Sequence, residues 1–146
     1  MYKILVAIDG SEHSDRVIDE TLTIAKALDA EVTVLNVTGE YDMQNRISVH
    51  MSDDYWDQVK KNMKGDAEKI VGKAADKLKE NGVRVETKVL IGKQPPADAI
   101  CKMADRGPFN LLILGSYRVR GLREAFLGSV SNKVAHCTAK NVLIVK

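Results

Sequence analysis

Short apolar runs alternate with helical stripes along this chain, and that alternation most restricts how it can fold. Tyr2–Ile8 is apolar or β-branched at nearly every position, the pattern of a strand buried on both faces. Asp9-Gly10-Ser11 breaks it, and from Ser14 to Leu28 the residues Val17, Ile18, Thr21, Ala25 and Leu28 fall on one helical face. Val32–Val37 is a second strand. Thr38–Met51 is polar and irregular and reads as a surface excursion. Ser52 or Asp53 can then cap a long helix, whose apolar stripe runs through Tyr55, Trp56, Val59, Met63, Ala67, Ile70, Val71, Ala74 and Leu78. Asn81-Gly82 stops it, the glycine being free to turn left-handed. Val83–Leu90 is a third strand, and Pro95-Pro96 opens a helix running to Ala104. Phe109–Leu114 is a fourth strand, Val130–Cys137 a last helix and Asn141–Val145 a fifth strand.

The order β-α-β-α-β-α-β-α-β argues for an α/β fold, a parallel sheet with helices on both faces. A length of 146 residues suits a single domain over residues 1–146. No internal repeat, low-complexity tract or linker interrupts it. In open sheets of this kind ligands bind beyond the carboxyl ends of the strands, where the strand order reverses. Two loops have chemistry suited to that place, Asp9-Gly10-Ser11 after the first strand and the stretch from Gly115 after the fourth. If those two strands are neighbours, both loops face one crevice.

The second loop is the more informative. Gly115-Ser116-Tyr117-Arg118 begins it, and Gly128-Ser129-Val130-Ser131 closes it at a helix start. Glycine lets a backbone come close to a ligand, and the unpaired N–H groups of a first helical turn attract phosphate. The loop exceeds the usual strand-to-helix connection of about 2–6 residues and carries Arg118, Arg120 and Arg123, which can pair with phosphate. The plainer readings are an ordinary serine cap and a solvated basic face. Asp9, where a buried strand meets solvent, either accepts hydrogen bonds from a nucleoside or stabilises its own turn and the helix after it.

Other chemistry is less well supported. A net charge of +2 is too small to argue for nucleic acid or a membrane surface, and Ile4–Ile8 is too short for a signal-peptide core or a membrane span. Cys101 and Cys137 lie in separate helical patterns with apolar neighbours. A disulfide framework is therefore not expected, and a reducing cytoplasm is. His13, His50 and His136 show no metal-ligand spacing with the cysteines. Neither a Walker lysine motif nor a nucleophile elbow occurs, and no general base is aimed at the loop. Binding is favoured over turnover, with weak ATP hydrolysis the most that an enzyme reading allows.

The head, Tyr2–Ser11 (YKILVAIDGS), and the tail, Leu111–Lys146, together resemble the universal stress protein family. Its nucleotide-binding members carry Gly, two residues, Gly, nine residues, then Gly-Ser or Gly-Thr. Gly115, Gly128 and Ser129 match this spacing, and Arg118 replaces the second glycine. The resemblance implies an open five-stranded parallel sheet in the order 3-2-1-4-5, Rossmann-like and akin to the adenine nucleotide alpha hydrolases. It also implies ATP or AMP in the crevice above strands one and four, with Mg2+ or Mn2+ at the phosphates. Carried over by position, Ile8 and Asp9 would meet the nucleoside and Val37 the adenine through its backbone. Gly115, Gly128, Ser129, Val130 and Ser131 would cradle ribose and phosphates. Arg118 would either obstruct the phosphate path or add a contact to it. A stress-response role follows, with a homodimer joined through Asn141–Lys146. The alternative is a nucleotide-free dimeric scaffold acting through protein contacts.

Overall fold

The computed structural model describes residues 1–39, 52–116 and 128–146. Their order is β1 (Lys3–Ala7), α1 (Glu12–Leu28), β2 (Glu31–Gly39), α2 (Asp53–Glu80), β3 (Arg84–Gly92), α3 (Pro96–Arg106), β4 (Leu111–Gly115), α4 (Ser129–Cys137) and β5 (Asn141–Val145). The strands form one sheet in the order β3-β2-β1-β4-β5. All four pairings are parallel, with Ala7 beside Leu35 on one flank and Leu114 on the other. The expected architecture is thus the observed one.

Side chains of a strand alternate between faces, and the core divides accordingly. Ile4 and Val6 of β1, with Val32 and Val34 of β2, pack beneath Val17 and Ile18 of α1 and Val71 and Leu78 of α2. On the other face Leu5, Leu35 and Leu112 pack against Ile100 and Ala104 of α3 and Val134 of α4. Each of these strand residues is fully buried. Central strands buried on both sides must be apolar throughout, which is why they were visible as continuous runs.

Several boundaries differ from the expectation. β2 continues through Thr38 and Gly39 and β3 through Ile91 and Gly92, because these strands pair with each other to their last residues. Phe109 lies outside β4, although it is buried under α3. The long helix starts as read, with the Ser52 hydroxyl accepting from the Tyr55 amide at 3.4 Å. It ends as read, with Gly82 at φ +83°.

The cysteine reading is corrected. Helices α3 and α4 pack against each other and bring Cys101 and Cys137 to a Cα–Cα distance of 6.1 Å, and the two are joined as a disulfide. That separation lies within the usual range for a bridge. The partners are 36 residues apart, so only the packed fold shows their proximity. Cysteine usage therefore gives no support for a reducing compartment.

Candidate functional site

The site lies at the carboxyl ends of β2, β1 and β4, three adjacent strands. β1 stops at Ala7 while β2 runs on to Gly39, and this stagger opens backbone at the top of β2. The Glu31 amide donates to Tyr2 O and the Leu35 carbonyl accepts from the Ile8 amide, both at 2.9 Å. Alternate residues of a strand direct their polar backbone atoms to the same flank. Val37 therefore turns its N–H and C=O towards the β1 side, past the last residue that β1 can offer.

Asp9 follows at once. Its Oδ1 accepts from the Ser11 amide at 2.9 Å and from the Ser14 hydroxyl at 3.1 Å. Desolvation against the strand end works to raise the carboxyl's pKa. The hydrogen bonds from Ser11 and Ser14 outweigh it and hold Asp9 below the ordinary aspartate value. Gly10, at φ +80°, completes the turn, and a side chain there would run into Ile70 of α2. Asp9 thus does organise its own turn, one of the two roles open to it, while remaining exposed at the crevice.

Across β1, the start of α4 supplies donors. The Gly128 amide donates to the Ser116 hydroxyl at 3.3 Å, and Gly128 O accepts the first helical bond from the Asn132 amide at 2.9 Å. Helix geometry leaves the amides of Ser129, Val130 and Ser131 without intrahelical partners, a positive helix end suited to an anion. Ser129 and Val130 are exposed.

Comparison with known proteins settles what kind of chain this is. The model of the universal stress protein family matches residues 1–146. The chain belongs to the universal stress protein family. It is similar to universal stress protein YxiE of Bacillus subtilis, 35% identical over 147 residues, covering 99% of this chain and 98% of that one. It is also similar to the solved structure of MJ0577, a universal stress protein of Methanocaldococcus jannaschii. There the TM-score is 0.83 at 25% identity, with 99% of this chain and 95% of that chain covered. A universal stress protein solved in complex with cAMP matches with a TM-score of 0.68 at 25% identity, over 99% and 95% of the two chains.

Within this universal stress protein the expected site residues are not equivalent. Ile8 has its backbone committed, its amide to Leu35 O and its carbonyl to the Asn36 side chain at 2.8 Å. Ser131 is buried and its hydroxyl donates to Gly128 O at 3.1 Å, so its amide, and not its hydroxyl, faces the helix start. Gly115 has a packing reason to be glycine: a Cβ there would meet His13 Cδ2 at 2.6 Å and Val17 Cγ2 at 2.9 Å. Gly128 sits at φ −57°, a backbone conformation that does not require glycine. Arg118, Arg120 and Arg123 lie outside the described residues. Asn36, Ser116 and His13 were not singled out from the sequence for these roles. Asn36 ties the end of β1 to β2, Ser116 ties α4 to β4, and His13 Nε2 lies 2.8 Å from Val145 O. An asparagine inside the apolar run Val32–Val37 was the one available signal. Among the described residues no three His, Cys, Asp or Glu side chains are grouped to hold a metal ion, and no helix is long and apolar enough to cross a membrane.

Proposed function

We propose that this protein is a cytoplasmic stress-response regulator that binds an adenine nucleotide, ATP or AMP, in the crevice above β1 and β4. One observation carries the reading. The open backbone of Val37, the ionised Asp9 and the free amides of α4 stand at the same ends of three neighbouring strands. These groups suit the parts of a nucleotide. Val37 offers the backbone donor and acceptor that an adenine edge requires, and Asp9 accepts from a ribose hydroxyl. The amides of Ser129, Val130 and Ser131 meet phosphate oxygens, with Gly115 and Gly128 lining the approach and Ile8 carrying Asp9. Arg118 adds a charge-assisted phosphate contact. The similarity to a protein solved with cAMP supports the adenine class. Mg2+ or Mn2+, where present, is held through the phosphates. Among the described residues of the site no base stands beside a nucleophile, which supports binding over turnover, with weak ATP hydrolysis at most. β5 stands at the sheet edge, which supports a homodimer formed through Asn141–Lys146, measurable by light scattering.

Calorimetry on protein stripped of nucleotide tests the reading. ATP or AMP should bind in the micromolar to millimolar range. Gly128→Val should abolish the heat; its backbone angle, φ −57°, accepts valine, and a melting curve checks that the variant is folded. No heat at millimolar nucleotide, with dimers intact, would leave the nucleotide-free scaffold as the function.

A further inference from the structure

A second cavity lies away from the phosphate end of the crevice. It is a trough of about 660 Å³ between β3 and α3, within the size range of small-molecule sites, roughly 300–1,000 Å³. α3 crosses from β3 to β4 and covers the sheet's centre, so that among the described residues no helix lies over the inner face of the edge strand β3. The trough starts beside Val37 at the strand ends and runs down to Phe109, before β4. The wall made by α3 runs from Ala99 to Arg106, about 11 Å at 1.5 Å per residue.

Its floor and its rim differ in character. Leu90, Met103 and Phe109 form an apolar floor, and Met103 has the flexibility to adapt to what lies on it. Lys88, Lys93, Lys102 and Arg106 line the rim, and among the described residues no aspartate or glutamate lines the trough. Among the described residues none of the four forms an ion pair, although five other cations, Lys3, Lys64, Lys77, Arg84 and Lys133, do. Lys102 and Arg106 stand one helical turn apart, where like charges repel, and Lys88 faces the same space from β3. The whole chain carries only +2, so this unbalanced group is a local feature.

We infer that the trough between β3 and α3 is a binding site for an anionic amphiphile, a medium-chain acyl carboxylate whose tail lies on Leu90, Met103 and Phe109 and whose head pairs with the rim cations. An elongated apolar floor selects the chain, and four cations with no ion-pair partner among the described residues select the sign of the head. The site is separate from the proposed nucleotide contacts except at Val37, and it does not depend on them.

Calorimetric titration with dodecanoate below its micelle concentration tests the inference. Dodecyltrimethylammonium is the oppositely charged control with the same tail. Dodecanoate should bind one to one, at least about tenfold more tightly than the cationic control, a difference of about 1.4 kcal/mol. The surface double variant Lys102→Glu/Arg106→Glu, checked for folding by circular dichroism, should weaken dodecanoate by at least about tenfold and leave AMP titration unchanged. Met103→Trp, which fills the trough, should remove binding as well. Equal binding of the two amphiphiles, indifference to the charge reversal, or no heat with dodecanoate would overturn the inference.

Discussion

Gly115→Ala separates two reasons for a glycine at the end of β4. The family spacing makes Gly115 part of a phosphate-binding signature. The packing makes it a gap into which α1 fits. An added Cβ would lie 2.6 Å from His13 Cδ2 and 2.9 Å from Val17 Cγ2, well inside the optimum of about 3.5–4.0 Å. Val17 is 2% exposed and has nowhere to move. His13 can swing away only by giving up its 2.8 Å contact with Val145 O, at a cost of about 1 kcal/mol. Overpacking against Val17 adds about 1–2 kcal/mol. The expected loss is therefore about 2–3 kcal/mol, or roughly 5–10 °C in melting temperature for a chain of this size.

Urea and thermal unfolding of the wild type, Gly115→Ala, His13→Ala and the double variant form a cycle that reads this directly. Removing the imidazole takes away one of the two clashes, so the alanine should cost about 1 kcal/mol less in the His13→Ala background. Nucleotide affinity should fall less than in Gly128→Val. A loss of stability under about 0.5 kcal/mol, together with a large fall in AMP affinity, would refute the packing argument and return Gly115 to the ligand.

Asn36→Ala should cost about 1–3 kcal/mol by leaving the Ile8 carbonyl without its donor, since Asn36 is 4% exposed. It should also weaken AMP binding without touching the ligand, and both losses are read from denaturation and calorimetry. Asp9→Asn should lower stability by about 1 kcal/mol or less at neutral pH, as for an exposed turn-capping carboxylate. The Asp9 pKa is lowered from 3.8 in the folded chain. Its contribution is therefore complete above that value and is lost as the pH falls through the folded-state pKa. The wild-type advantage over Asp9→Asn should accordingly shrink between pH 5 and pH 2, and a gap independent of pH would count against the assignment. Reducing Cys101–Cys137 opens a loop 36 residues long, worth up to about 4 kcal/mol by chain entropy. Melting curves with and without reductant, alongside a thiol count by mass spectrometry, should show the loss.

The parts of this fold that were legible in advance depend on short-range pattern. A strand buried on both faces must be apolar at successive positions, so Tyr2–Ile8 and Phe109–Leu114 announced β1 and β4 within two residues. Asn141–Val145 matched β5 at both ends. The edge strand β3 was read two residues short because one of its faces is half open, which weakens the apolar signal there. What escaped notice depends on contacts between distant segments. The Asn36 bond to Ile8 spans 28 residues and the His13 contact with Val145 spans 132. The bridge between Cys101 and Cys137 joins two separate helical patterns 36 residues apart, so it too has no short-range signal.

The glycines show most clearly why a motif underdetermines a site. Gly10 is required by a left-handed turn and by Ile70, and Gly115 by the side chains of α1, whereas the backbone of Gly128 is ordinary, at φ −57°. In the sequence Gly115 and Gly128 look like parts of one phosphate-cradling signature, and Gly10 like part of the turn after the first strand. Gly128 has no left-handed backbone to explain it, so it is the position at which absence of a side chain is best tested against a ligand. The same logic bears on Arg118. If close approach of phosphate is secured by Gly128 and the amides of α4, an arginine in the loop need not block the site.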